Sequence, residues 1–275
     1  MNNDMSPDDQ MPARALLEFY LEAGIDTIVG EEPVNRFGET PIAPAAKPKP
    51  AAEMPRPKPA TRTFMQSATA SPPPPNDAAM AAREAAKSAT SLDELRSILE
   101  GFDGCGLKAT ATRLVFADGA PQSRLMFVGE APGADEDRLG LPFVGRSGKL
   151  LDRMLAAIGL DRGQVYIANI VPWRPPGNRD PSPHETAICL PFIKRQIELC
   201  DPDILVCLGK PSMQTLLAIS EPISKARGRW FSFHTGKREI RAMPTFHPAF
   251  LLRSPLQKRF AWRDFLAIKK ALDQR

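Results

Sequence analysis

The chain has 275 residues, and its 36 lysines and arginines against 32 aspartates and glutamates give a formal net charge of +4. This mild excess permits nucleic acid binding without requiring it. No apolar run approaches the ~18 residues of a membrane span, and the polar start is unlike a secretory signal. The four cysteines do not suggest a disulfide scaffold. We therefore expect a cytoplasmic protein without a membrane anchor.

Composition divides the chain into three parts. Residues 1–37 contain a short amphipathic pattern and are predicted to form an N-terminal helical segment, a candidate for binding a protein partner. Residues 38–80 are rich in proline, alanine and lysine. Because proline removes backbone donors and fixes φ, we expect a disordered linker there. The pattern of residues 81–275 predicts one globular α/β domain.

Apolar segments of strand length alternate with helical patterns in this domain. The predicted strands are 124–129, 164–169, 203–208 and 240–246. Two helices carry start signals, Ser91 with Glu94 and Ser182 with Glu185, which are the spacing of a capping box. Alternation of this kind favours a parallel sheet covered on both faces. The sequence predicts a three-layer α/β/α sandwich with a central four-stranded parallel sheet.

Three polar side chains follow three of these strands. Glu130, Asn169 and His247 each come just after an apolar run. Open α/β sheets bind ligands at the carboxyl ends of their strands. We therefore predict that an acid, an amide and an imidazole form one active site.

Other chemistries are disfavoured by the residues present. The segment Gly140–Ser147 is one residue short of a phosphate-binding Walker A loop, Pro142 lacks an amide hydrogen, and Arg146 replaces the lysine. The His184–Glu185 pair lacks a second histidine four residues later, as a zinc protease helix requires. The sequence also lacks the paired motifs of a zinc deaminase.

Several motifs occur together in a recognisable order. They are Gly129–Gly133 with Glu136, Leu141–Gly145, Asn169, Arg174–Arg179 and His247–Arg253. In this arrangement the chain resembles the uracil-DNA glycosylase superfamily, most closely family 4, over roughly residues 95–273. The resemblance implies a monomeric, monofunctional base excision repair hydrolase. Such an enzyme breaks the N-glycosidic bond of uracil in single- or double-stranded DNA and leaves an abasic site.

The resemblance also implies roles for individual residues. The expected catalytic residues are Glu130, Asn169 and His247. The expected substrate-binding residues are Ala131, Glu136, Phe143, Asn169 and His247. Phe143 would stack on the flipped uracil, Asn169 would read its edge, and His247 would donate to O2. Ala131 stands where other glycosylase families carry a water-activating aspartate, so the group that activates the water stays open.

Contacts to DNA are expected from two segments. By resemblance, Leu251 and Leu252 would wedge into the duplex where the base leaves, with Arg253 beside them. Ser147, near a predicted helix start, is a candidate phosphate donor.

The cysteine pattern departs from the family. Family 4 enzymes usually hold a [4Fe–4S] cluster on four cysteines, but Phe102 and Trp173 occupy two of these positions, and only Cys105 and Cys189 remain. Neither phenylalanine nor tryptophan can ligate iron. We expect no metal and no cofactor, with [4Fe–4S] as the alternative.

The loss of two cysteines also raises a second functional hypothesis. The chain could be a catalytically degenerate module that binds DNA or a replication partner. Retention of Glu130, Phe143, Asn169 and His247 argues for the enzyme. The sequence leaves open whether other deaminated bases are excised and which strand context is preferred.

Overall fold

The computed structural model describes residues 75–274. The predicted N-terminal segment 1–37 lies outside these residues, as does most of the predicted linker 38–80. The first described helix, α1 (Pro75–Ser88), begins within that predicted linker and packs against α5 (Pro183–Cys200). The last residues of the predicted linker therefore belong to a helix of the folded domain.

The sheet has six strands. They are β1 (Asp118–Gly119), β2 (Leu125–Gly129), β3 (Tyr166–Asn169), β4 (Ile204–Leu208), β5 (Phe231–His234) and β6 (Glu239–Thr245). Their order is β1-β3-β2-β4-β6-β5; the four central strands are parallel, and β1 and β5 are antiparallel at the edges. The predicted α/β class is confirmed, but the sheet is six-stranded and mixed rather than four-stranded and parallel.

The sequence does not predict the two edge strands, because they lack the apolar runs of the central strands. The strand β1 is an Asp-Gly pair that is only partly buried. In β5 the exposed Ser232 and His234 alternate with Phe231 and Phe233, and only Phe233 is buried. Short, half-polar strands of this kind are typical of sheet edges.

Helices connect the strands. They are α1, α2 (Leu92–Gly101), α3 (Ala134–Leu139), α4 (Arg146–Ala156), α5, α6 (Lys210–Leu217), α7 (Ile223–Ala226), α8 (Pro248–Arg253) and α9 (Lys258–Asp273). Both predicted caps are confirmed, since the hydroxyls of Ser91 and Ser182 accept from the backbone amides of Glu94 and Glu185. Across residues 75–274, no helix combines the length and apolarity needed to span a membrane.

Apolar residues pack on both faces of the sheet. Met126 and Val128 join a core cluster that includes residues of α1, α2 and α5. The alternate residues Leu125 and Phe127 join a second cluster with α4 and α9, in which Phe127 stacks on Phe265 at 5.8 Å between ring centroids. Because side chains alternate along a strand, each central strand contributes to both clusters.

A buried polar network ties the end of β6 to α9. Asp264 in α9 is only 1% exposed and accepts a hydrogen bond from the Thr245 hydroxyl at 2.6 Å. It also pairs with the Arg227 guanidinium, which donates in addition to the backbone carbonyl of Phe260. Thr245 ends β6 two residues before His247, so the network anchors the strand that leads into the histidine loop.

We expect Asp264→Ala to lower the free energy of unfolding by about 3 kcal/mol, because the partly buried Arg227 would lose its carboxylate partner. Urea denaturation followed by circular dichroism measures this. Asp273→Ala on the same helix, where the ion pair with Lys269 is solvent-exposed, should cost less than about 1 kcal/mol. Equal effects of the two substitutions would contradict a structural role for the network.

Candidate active site

A cavity of about 390 Å³ lies at the carboxyl ends of β2, β3 and β6. Most of the predicted site residues line it. They are Glu130, Ala131, Glu136, Phe143, Ser147, Asn169, His247 and Arg253. Residues separated by more than a hundred positions in the chain therefore share one cavity, as parallel strand ends allow.

Asn169 carries the one buried side-chain nitrogen or oxygen atom in the described region that has no hydrogen-bond partner. It is the last residue of β3, is 4% exposed, and pairs in register with Gly129 of β2. Its Oδ1 accepts no hydrogen bond from the described residues. Leaving a buried acceptor unsatisfied costs about 1–3 kcal/mol. A ligand that offers an N–H donor would remove this cost.

Gly129 provides the space in which Asn169 and Phe143 meet. A Cβ built on Gly129 would lie 2.6 Å from Phe143 Cζ and closer still to Asn169 Oδ1. Real Cβ contacts essentially never fall below 3.0 Å. Only glycine at this strand end lets the ring and the amide approach each other across the end of the sheet.

Phe143 adopts an unusual backbone conformation. Its φ is +55°, in the left-handed region that costs a residue with a Cβ roughly 1–2 kcal/mol. The side chain is 4% exposed, and its ring centroid lies 5.4 Å from that of His247 at an interplanar angle of 34°. The ring and the imidazole therefore form adjoining parts of the cavity wall.

Glu136 supports the loop rather than presenting a free carboxylate to the cavity. Its Oε1 accepts from the backbone amides of Val144 at 3.0 Å and Gly145 at 2.9 Å. Its Oε2 accepts from the amide of Gly133 at 3.1 Å. We predicted substrate binding for Glu136, but the structure gives both of its oxygens backbone partners. These bonds join the Gly129–Gly133 turn to the loop after Phe143.

His247 is held as a neutral imidazole. Its Nδ1 accepts from the backbone amide of Ala249 at 3.1 Å, so the ring proton resides on Nε2. Burial, helped by the positive charge of Arg253, lowers the pKa of His247 to about 4. Near neutral pH the ring is therefore uncharged, with Nε2 as its donor.

Glu130 shares the cavity with Asp180, an acid that the sequence does not predict as a site residue. Burial, and to a lesser extent the charge of Asp180, raises the pKa of Glu130 above its usual value. Asp180 lines the same cavity, as do Asn178 and Arg179. Asn178 and Arg179 belong to the Arg174–Arg179 motif, to which the sequence assigns no individual roles, and Asp180 directly follows that motif.

Of the predicted DNA contacts, three lie at the mouth of the site and one does not. Ser147, Leu252 and Arg253 line a hollow beside the cavity. Leu251 is 0% exposed and belongs to an apolar cluster with Phe246 and Ala261. Helix α8 turns Leu251 into the core, and its predicted role as a wedge in DNA stays a prediction.

The two cysteines that remain at the family's cluster positions lie together, away from this cavity. The Sγ atoms of Cys105 and Cys189 are 4.0 Å apart, and both thiols are buried. Trp173 is buried in the same core cluster as the two cysteines. Phe102 packs against this cluster, and the centroid of the Phe102 ring lies 5.0 Å from that of Phe192.

The chain is similar to curated relatives over more than half of its length. The chain is 39% identical to the Type-4 uracil-DNA glycosylase of Sulfurisphaera tokodaii over 185 residues, which are 66% of this chain and 84% of the relative. It is 38% identical to the enzyme of the same name from Archaeoglobus fulgidus, over 65% of this chain and 92% of the relative. The Type-4 uracil-DNA glycosylase of Thermotoga maritima is 43% identical over 54% of this chain and 77% of the relative.

These relatives overturn the prediction that the chain carries no cofactor. They are Type-4 uracil-DNA glycosylases, the family that the resemblance associates with a [4Fe–4S] cluster. The side chains at the corresponding positions fit such a cluster only in part, since Cys105 and Cys189 offer thiols whereas Phe102 and Trp173 cannot ligate. Within residues 75–274, no group of three or more His, Cys, Asp or Glu side chains is placed to hold a metal ion. No step of the reaction proposed below passes through a cluster.

A family model agrees with the relatives and with the geometry. The model described as the uracil DNA glycosylase superfamily matches residues 116–266, which include every strand end that lines the cavity. On this match, and on the identity to the Type-4 enzymes, the chain belongs to the uracil-DNA glycosylase superfamily.

Proposed function

We propose that this protein is a uracil-DNA glycosylase that hydrolyses the N-glycosidic bond of uracil in DNA, releasing free uracil and leaving an abasic site. The observation that carries the proposal is the unsatisfied, buried Oδ1 of Asn169, which lies in one cavity with Phe143 and His247. A cavity of about 390 Å³ accommodates a single extruded base.

Asn169 and Phe143 account for recognition of the base. Uracil presents N3–H as a donor and O4 as an acceptor, so the Asn169 carbonyl would accept from N3–H and its amide would donate to O4. Cytosine presents the opposite pattern at both positions. The Phe143 ring, held at the cavity wall, would stack on the flipped base.

His247 would stabilise the leaving group. When the bond between C1′ and N1 breaks, its electron pair moves to the base and negative charge develops on O2. The Nε2–H of a neutral imidazole donates to that oxygen without introducing a competing proton equilibrium near pH 7. A donor aimed at developing charge is worth roughly 3–4 kcal/mol in the transition state.

Glu130 is the proposed partner of the attacking water. The water oxygen bonds to C1′ while one of its protons passes to a base. Glu130 is a cavity-lining carboxylate that accepts from no backbone amide of residues 75–274, whereas both oxygens of Glu136 do. Its raised pKa makes it a better proton acceptor than an ordinary glutamate, provided that it is ionised.

We further propose that the enzyme acts as a cytoplasmic monomer on single- or double-stranded DNA. The monomeric state is carried over from the resemblance to the family. The four cysteines are free thiols, as expected in a reducing compartment. Ser147, Leu252 and Arg253 at the cavity mouth are the proposed contacts to DNA. A protein partner for residues 1–37 remains a prediction.

The decisive experiment measures release of free uracil from a single-stranded and a U·G duplex oligonucleotide. Wild-type protein should release uracil from both, and Asn169→Ala and His247→Ala should each lower kcat/KM by about 10²–10³-fold. Oligonucleotides with cytosine at the same position are the control. No release by the wild-type protein would refute the proposal and favour a binding module on the same fold.

Gly129→Ala should lower kcat/KM by about 10²-fold while the protein still folds, because the new methyl group would displace both Phe143 and Asn169. Gly101→Ala is a matched control, since a Cβ there meets nothing within 4 Å. Steady-state kinetics and thermal denaturation of both variants are compared. An active Gly129→Ala enzyme would contradict the proposed geometry of the base pocket.

The acidic limb of the pH profile should respond to Asp180. In the wild type, the raised pKa of Glu130 makes kcat/KM fall at a pH above the usual range of a glutamate, as the carboxylate becomes protonated. Asp180→Asn removes a neighbouring negative charge, so this limb should move to lower pH. Asp273→Asn, on the exposed end of α9, should leave the profile unchanged. An unshifted limb in Asp180→Asn would argue against Glu130 as the titrating group.

A further inference from the structure

We infer that Arg162 is a positioning residue for base recognition, because it holds the backbone of Phe143 in its left-handed conformation. This inference rests on the proposed function, since it concerns how the stacking ring is presented. Arg162 does not belong to the described residues that line the cavity, so it acts through the Phe143 loop and not on the substrate.

The guanidinium of Arg162 binds two consecutive carbonyl groups of that loop. It donates to the carbonyl of Pro142 at 3.0 Å and to that of Phe143 at 2.5 Å. These contacts cross about twenty positions of sequence, from the turn before β3 to the loop before α4. They fix the two peptide planes that determine the direction of the Phe143 side chain.

Two carboxylates hold the guanidinium in place. Asp118 of β1 accepts at 2.8 Å, and Asp152 of α4 accepts at 2.9 and 3.1 Å. The Arg162 side chain is 24% exposed, and it uses its planar fork to contact a strand, a helix and a loop at once. A lysine, with a single ammonium group, cannot reproduce this set of contacts.

The Phe143 loop needs such support on more than one side. A residue with a Cβ at positive φ persists only where its surroundings over-determine it. Glu136 accepts from the amides of Val144 and Gly145, and Arg162 donates to the carbonyls that precede them. The missing Cβ of Gly148 leaves room for the Phe143 carbonyl, which a side chain there would overlap. Of these supports, Arg162 is the charged side chain that lies outside the cavity.

The test compares Arg162→Met with Arg238→Met. Arg238 is a matched control because it also donates to two carboxylates and two backbone carbonyls, but lies away from the cavity. Three quantities are measured for each variant: kcat/KM for uracil release, the inhibition constant of free uracil, and the Kd for an oligonucleotide without uracil. The midpoint of thermal unfolding reports on stability alone.

Arg162→Met should lower kcat/KM by about 10²-fold and raise the inhibition constant of free uracil by about tenfold, with the Kd for uracil-free DNA changed less than about twofold. Arg238→Met should lose stability without these changes. If Arg162→Met keeps wild-type uracil inhibition and kcat/KM, or if Arg238→Met loses both equally, the positioning role is wrong.

Milder variants keep the test decisive if Arg162→Met does not fold. Arg162→Lys and Asp152→Asn should each weaken inhibition by free uracil in the same direction by a smaller factor. Normal inhibition in both would overturn the inference. An inactive wild-type enzyme would instead refute the proposed function, so the two failures can be told apart.

Discussion

The candidate site depends on the close approach of two parallel strand ends at Gly129 and Asn169. These residues are register partners, and β2 is paired on its other side with β4, so the end of β2 cannot shift without disturbing the central sheet. The side chain of Asn169 and the ring of Phe143 use the space that a Cβ on Gly129 would fill. The proposed base-reading amide and the stacking ring therefore meet at the end of a strand that is paired on both sides.

Backbone groups and burial give the cavity its chemical character. The Glu136 carboxylate accepts from backbone amides of the loop that carries Phe143, and Arg162 donates to backbone carbonyls of the same loop. These two charged residues therefore shape the loop. Burial shifts the pKa values of the two proposed catalytic groups, His247 and Glu130, in opposite directions. It keeps His247 neutral and raises the pKa of Glu130, because in each case the charged form is the one that loses solvation.

Much of this arrangement could be predicted from local patterns. The four central strands, the caps at Ser91 and Ser182, and the convergence of Glu130, Asn169 and His247 follow from apolar runs and from what comes directly after them. The edge strands could not be predicted in this way, because an Asp-Gly pair and a half-exposed strand have no distinctive hydrophobic pattern. Nor could the burial of Leu251, because a short apolar run does not reveal which of its residues faces the core.

The sequence by itself determined the central strands, the residue types at their ends and the family that these motifs resemble. Those properties reside in contiguous residues, which local composition and spacing can specify. Only the tertiary structure decided that Glu136 supports a loop, that Asp180 faces the same cavity as Glu130, and that Arg162 binds the Phe143 backbone. Each of these relations joins segments that are separate in the chain. Packing of the sheet and its helices brings them within hydrogen-bonding or electrostatic reach.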